Sequence, residues 1–175
     1  MPALITSGLY NCNQLTTLHL PQNMPALIRL GVRNCALLTS IHLPQNAPAL
    51  TLFSLTDCAL LTSIRLPENL PRLTNLDISN CPLFVQIHSL AHLPVPGSSD
   101  DLTSEETKSR ASLTPHPFPS LRDFPTVRSL TLHGCHPFQL HSLPPRLWDV
   151  GELDISDCPL ITEIPETLRI RSWLF

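Results

Sequence analysis

The stretch Leu27–Pro48 reads LIRLGVRNCALLTSIHLPQNAP, and after one residue Leu50–Pro71 reads LTLFSLTDCALLTSIRLPENLP. Superposed without a gap, the two place Leu27 over Leu50, Leu30 over Phe53, Val32 over Leu55, Cys35 over Cys58 and Ile41 over Ile64, with one constant offset throughout. Self-similarity at a fixed period of this size is the signature of a solenoid, in which each repeat is one turn of a stacked coil.

The repeat extends in both directions. Cys12, Cys35, Cys58 and Cys81 are evenly spaced by this same period, as are Cys135 and Cys158. A proline column (Pro2, Pro25, Pro48, Pro71, Pro94, then Pro125) keeps the step before a single break. The unit L-x-x-L-x-L-x-x-C-x-L-L-T-S-I-x-L-P-x-N-x-P-x is the leucine-rich repeat pattern with Cys at the Asn/Cys position. Residues 1–175 therefore form one leucine-rich repeat solenoid of six coils, opened by Leu4, Leu27, Leu50, Leu73, Val127 and Val150. Each coil is too small to bury its apolar face alone and relies on its neighbours, so the core is a column.

Within a coil, L-x-x-L-x-L is a short strand. Alternation sends Leu30 and Val32, Phe53 and Leu55, Leu76 and Ile78, Leu130 and Leu132, and Leu153 and Ile155 inward. Parallel pairing of these strands makes a curved sheet on the concave side. The T-S-I-x-L-P tract returns the chain along the convex side, where its prolines favour irregular, polyproline-like segments over a helix. Residues 169–175 are expected to lie over the last coil as a cap, and the ends, which show no dedicated capping motif, are expected either to continue into a longer array or to be closed by self-association.

One interval breaks the period: the step from Pro94 to Pro125 is longer than one repeat and carries no strand motif. Its polar stretch from Gly97 to Ser109 and the Pro-rich run His116–Leu121 read as a disordered, Pro-rich insertion over 94–124, between coils four and five.

Charged residues make up only 14 % of the chain, the formal net charge is −3 and Lys108 is the only lysine, so no basic stripe exists to bind nucleic acid or an anionic membrane surface. No run approaches ~20 consecutive apolar residues, so no membrane-spanning helix is expected. Met1–Leu4 already belongs to the first coil, and no secretory leader is expected. All six cysteines share one inward register position. They are expected to stack as a reduced ladder of small hydrophobes and weak S–H donors, which suits a reducing, cytoplasmic compartment.

Three outward positions per strand make the candidate binding surface, and a curved parallel sheet is the usual one in a solenoid. Tyr10, Arg29, Arg33, Asn75, Asp77, Ser79, His133, Glu152 and Asp154 are the candidate partner-binding residues, basic near coil two and acidic toward coil six. This mixture favours a polar protein partner. Arg29, Arg33, Asp77 and Asp154 are expected to be exposed, so that reversing their charge leaves stability unchanged. A second column, His19, His42, Arg65 and His88, is expected on the return segment as a solvated row. The tract His133-Gly134-Cys135-His136 with His141 superficially suggests zinc, but Cys135 points inward and His133 outward, so no metal site is expected. No nucleophile elbow, phosphate-cradling loop or paired carboxylates appear; no enzyme activity and no cofactor are expected.

The tract Leu66–Asn80, LPENLPRLTNLDISN, resembles the leucine-rich repeats of bacterial type III effectors of the IpaH, YopM and SspH kind, and Glu152–Leu160, ELDISDCPL, is similar to the Cys-containing repeats of plant immune receptors. The effector resemblance implies a recognition array delivered into a host cell. In many such effectors it is joined to a ubiquitin-ligase domain with a Cys-x-Asp nucleophile. Here the residues two beyond each cysteine are Gln14, Leu37, Leu60, Leu83, Pro137 and Leu160, so that catalytic motif is not carried over. The 23-residue period and Cys in place of Asn also depart from the effector pattern.

Overall fold

Alternating apolar residues make a strand with one face to bury, and stacking identical strands buries that face continuously. The structure, a computed structural model, describes residues 5–67, 70–89 and 127–174. Strands β1 (Thr6–Tyr10), β3 (Arg29–Arg33), β5 (Leu52–Thr56), β7 (Asn75–Ser79), β9 (Val127–Thr131), β10 (Asp149–Asp154) and β11 (Arg169–Leu174) form one parallel sheet in that order. Between them run the shorter strands β2 (Thr17–His19), β4 (Ser40–His42), β6 (Ser63–Leu66) and β8 (Gln86–Ser89), which make a second parallel sheet. The chain is a leucine-rich-repeat-like solenoid, and its first four coils contribute a strand to each wall.

The register follows the repeat. Leu30 pairs with Phe53, Phe53 with Leu76, Leu76 with Leu130 and Leu130 with Leu153, and all five side chains are buried. Val32, Leu55, Ile78 and Leu132 form the next buried row, as expected, whereas Ile155 is only partly covered. From the second sheet Leu18, Ile41, Ile64 and Ile87 close the other side of the same core. Where the leucine of the return turn becomes phenylalanine, Phe84 stacks on Phe138 at 5.8 Å between ring centroids.

The return side is more ordered than extended or polyproline-like segments alone. In coils one to four the T-S-I-x-L tract and its counterparts place backbone N–H and C=O groups at strand spacing opposite identical segments, and pairing satisfies them. Coil five lacks that tract. Its return carries two 3-10 turns, Leu140–Ser142 and Pro145–Leu147, and the indole of Trp148 donates to the Leu143 carbonyl at 3.0 Å.

Two further differences concern the period. Residues 169–174 are a seventh strand of the main sheet, not a segment lying across the last coil. Val150 pairs with Ile170, where a full period would bring it to Trp173, because the last return is shorter than the others. Between β7 and β9, Leu76 pairs directly with Leu130, more than two periods further along the chain. The insertion expected over 94–124 falls outside the described residues.

The first six strands of the main sheet each lead to a left-handed residue immediately before the cysteine: Asn11, Asn34, Asp57, Asn80 and Asp157 have φ between 54° and 57°, and Gly134 has φ 64°. This conformation turns the chain sharply out of the sheet and sends the following Cys inward. Asn, Asp and Gly fill it because they tolerate positive φ better than other residues.

Candidate functional site

The outward residues of the main sheet form three columns. The first runs Thr6, Arg29, Leu52, Asn75, Ser129, Glu152; the second runs Gly8, Gly31, Ser54, Asp77, Thr131, Asp154. The third begins Tyr10, Arg33, Thr56, Ser79 along the paired strands and passes to His133 and Ser156 just beyond them. All nine candidate residues lie on this face. From coil one to coil six they span five strand spacings, about 24 Å at ~4.8 Å each, which is the scale of a protein surface.

They fall into three groups. Tyr10, 63 % exposed, stands with Arg29 and Arg33 at the first coils, its ring folded over Gly8. In the middle, the Asp77 carboxylate accepts from the Ser54 hydroxyl at 3.2 Å and from the Ser79 hydroxyl, while Asn75 Oδ1 accepts from Thr74 Oγ1 at 2.8 Å. At the far end Asp154 Oδ1 accepts from the Ser156 backbone N–H at 3.0 Å and from its hydroxyl at 2.6 Å. Ser156 Oγ also lies 2.9 Å from His133 Nδ1, and His133 Nε2 is 3.7 Å from Asp157 Oδ2. Glu152 is exposed.

The expectation that Asp77 and Asp154 are free surface charges is therefore corrected. Both are half-buried acceptors. Reversing either charge removes acceptors and sets a cation among hydroxyls left without them, so these positions hold the surface together as well as forming it. Arg29 and Arg33 are exposed, as expected.

The histidine column lies on the second sheet, where His19 pairs with His42, His42 with Arg65 and Arg65 with His88. The rings of His19 and His42 stack at 4.3 Å. The tract around His133 does not converge: Cys135 is buried with its thiol against the Ile78 carbonyl at 3.3 Å, whereas His133 and His136 remain outside. Among the described residues no group of three or more His, Cys, Asp or Glu side chains is placed to hold a metal ion.

All six cysteines are free, and all but Cys12 are buried. Each of Cys12, Cys35, Cys58, Cys81 and Cys135 directs its thiol toward the carbonyl two residues earlier, at 3.4–3.7 Å. Cys158 instead reaches the Leu132 carbonyl one coil away at 2.6 Å. Burial raises the Cys35 and Cys158 thiols, and burial with neighbouring Cys158 pushes Cys135 up to about 12. Cys58 and Cys81 share a thiol–thiol hydrogen bond that pushes Cys81 up and pulls Cys58 down, while burial raises both. Only a thiolate is a strong nucleophile, and this column keeps protons on most of its sulfurs.

A feature at the sheet's edge goes beyond the expected surface. The left-handed residues form a ladder of their own: Asn34 Nδ2 donates to Asn11 Oδ1 at 2.6 Å, and Asn80 Nδ2 to Asp57 Oδ1 at 3.0 Å. Between Asn80 and Asp157 the rung is Gly134, and an open cleft of about 790 Å³ occurs there, lined by Asn80, Pro82, His133, Gly134, His136, Ile155, Asp157, Cys158 and Pro159. Of these, His133 alone belongs to the expected surface. The signal was present as Asn, Asn, Asp, Asn, Gly, Asp immediately before the six cysteines. Comparison of the chain with known protein families, with curated proteins and with solved structures finds no match.

Proposed function

We propose that the chain is a protein-interaction module that takes a polar protein partner across the outward face of its seven-stranded sheet. A solenoid of stacked repeats commonly serves as such a scaffold. The observation that carries the reading is the segregation of charge along one rigid face, with Arg29 and Arg33 at one end and Asp77, Glu152 and Asp154 toward the other. A matching partner has acidic groups opposite coil two and basic groups opposite coils four to six. Complementarity of this kind sets orientation and excludes wrong partners more than it adds raw affinity. Tyr10 supplies an aromatic anchor beside the arginines, of the type enriched at protein interfaces.

The resemblance of Leu66–Asn80 to type III effector repeats extends the proposal. In that form the chain is the non-catalytic recognition array of an effector working in the reducing cytoplasm of a host cell. A ubiquitin-ligase domain encoded beside it would make the array its substrate reader. A nucleotide-binding domain upstream would instead favour a plant-type receptor. The neighbouring coding sequence discriminates these forms.

The binding face is tested with a partner isolated on the intact chain. Combining Arg33→Glu with Glu152→Arg changes two exposed charges at opposite ends and is expected to weaken binding strongly. Replacing His19 and His42 by alanine on the opposite sheet is expected to leave it unchanged. Binding that survives the first variant and is lost in the second would place the interface on the return side.

A further inference from the structure

The row of left-handed residues has one position without a side chain, Gly134, and the gap there has defined chemistry. Two asparagine amides donate to the preceding coil, Asn34 to Asn11 and Asn80 to Asp57, whereas no bond joins Asn34 and Asp57. Gly134 continues the backbone of the ladder, its N–H donating to the Ser156 carbonyl at 3.0 Å, but it supplies no side chain. A Cβ at Gly134 would stand 3.2 Å from Asn80 Oδ1, so that carbonyl oxygen faces the empty rung with no side-chain donor from Gly134. On the other side stands Asp157, its side chain 77 % exposed, with His133 Nε2 3.7 Å away. Asn80 and Asp157 both line the cleft, two coil spacings apart, about 9.6 Å between backbones, and Asp157 brings a carboxylate to it.

The remaining lining of the gap is mixed, with the imidazoles of His133 and His136 beside apolar side chains. Pro82, Ile155 and Pro159 line the cleft. Leu83 and Leu160, at equivalent positions one coil to either side, are 47 % and 63 % exposed. A group that fits must carry donors on two opposite edges, a positive charge to match Asp157, and an aliphatic stem to lie on the prolines and leucines. A primary amide donates from one edge only, and an ammonium is a compact point charge. A guanidinium has planar donors on opposite sides and a stem of three methylenes.

We infer that the cleft between Asn80 and Asp157 is a docking site for an arginine side chain of a protein partner, whose guanidinium takes the place of the rung that Gly134 omits. The arginine donates to Asn80 Oδ1 on one edge and to the Asp157 carboxylate on the other, and its flanking apolar residues rest on Leu83 and Leu160. The site goes beyond the sheet-face reading and does not depend on it: a small probe reads the cleft alone, and the charge-reversal variant Arg33→Glu with Glu152→Arg leaves the cleft's own residues intact.

N-acetyl-arginine amide titrated into the ¹⁵N-labelled protein is the test, followed through the backbone amide of Gly134 and the side-chain amide of Asn80. Saturable shifts of both signals are expected. The citrulline counterpart, of the same shape without the charge, is expected to bind about fivefold or more weakly, the difference between charge-assisted and neutral hydrogen bonds. The lysine counterpart is expected to be weaker as well. Gly134→Asn restores the rung with a residue that this chain already holds at φ 54–57° in three other coils, and it is expected to abolish the shifts of Asn80 while keeping the far-UV spectrum. Asp157→Asn, which keeps the turn and removes the charge, is expected to weaken the arginine probe to the level of citrulline and gives the same reading if Gly134→Asn folds poorly. Absence of saturable shifts, equal binding of arginine and citrulline, or undiminished binding to a folded Gly134→Asn protein would each overturn the assignment.

Discussion

Asn34 isolates what the left-handed rung contributes. Its φ is 55°, its amide donates to Asn11 Oδ1 at 2.6 Å, and its backbone N–H donates to the Thr56 carbonyl at 2.9 Å. Asn34→Gly removes the side-chain bond and keeps the backbone at ease. Asn34→Ala removes the same bond and also leaves a residue without asparagine's tolerance of the left-handed region, where an ordinary Cβ costs about 1–2 kcal/mol. Against this, glycine loses more chain entropy on folding, by about 0.4–1 kcal/mol. The ladder bond is exposed, so its loss contributes about 0.5–1 kcal/mol to both variants. Alanine is therefore expected to be the less stable of the two by roughly 1 kcal/mol, and to stand about 2 kcal/mol below the parent chain. In a protein of this size 1 kcal/mol corresponds to about 2–4 °C in Tm, which thermal melting followed by circular dichroism resolves. The comparison must be made between the two variants, because stacked coils couple to their neighbours and the parent difference includes that coupling. Equal melting of the two variants, or a lower Tm for glycine, would show that the positive φ is not what selects Asn at this position.

Four further outcomes are expected. A thiol-reactive reagent should modify Cys12 first in the native protein, with all six cysteines titrating as free thiols only after unfolding, since the other five are buried; two or more disulfides in the purified protein would contradict the reduced ladder. Cys135 has its folded value raised from 9.0 to about 12, so the folded state holds a proton that the unfolded chain releases. Its contribution is intact below pH 9 and is lost as the pH rises through this window, by up to ~1.4 kcal/mol per pH unit for one thiol, and Cys135→Ala should flatten that slope in alkaline denaturation. Gly151→Ala should destabilise by about 1–3 kcal/mol, because a Cβ there would stand 2.5 Å from the Arg128 carbonyl oxygen, whereas Gly31→Ala faces open space and should be close to neutral in the same urea titration. Joining Leu93 directly to Pro125 removes the whole 94–124 segment and brings Leu130 to one period after Leu76, the step of the other coils, so the shortened chain should keep its far-UV spectrum; loss of cooperative melting would show that the segment belongs to the core.

What the sequence determined by itself is whatever repeats. A constant period, with apolar side chains alternating inside it, places Leu30, Phe53, Leu76, Leu130 and Leu153 in one buried row because any other register would turn them to solvent. The same logic sent the cysteines inward and His19, His42, Arg65 and His88 outward in one column. The residue before each cysteine, Asn, Asp or Gly in every coil, also held a signal of a left-handed turn, one that the apolar alternation alone does not bring out. Only the tertiary structure decided which neighbours a side chain meets across coils. The return tracts became a second sheet because stacking brought unpaired backbone groups of successive coils opposite one another. Residues 169–174 became a strand because the main sheet offered an edge to pair with, at a step from Val150 to Ile170 that falls short of the repeat. Asp77 and Asp154 turned from surface charges into acceptors for Ser54, Ser79 and Ser156, because a hydrogen bond depends on rotamers and distances that a one-dimensional pattern does not contain. The cleft at Gly134 has the same origin: a single glycine is ordinary in the chain, and becomes a gap only when the coils on either side supply Asn80 and Asp157.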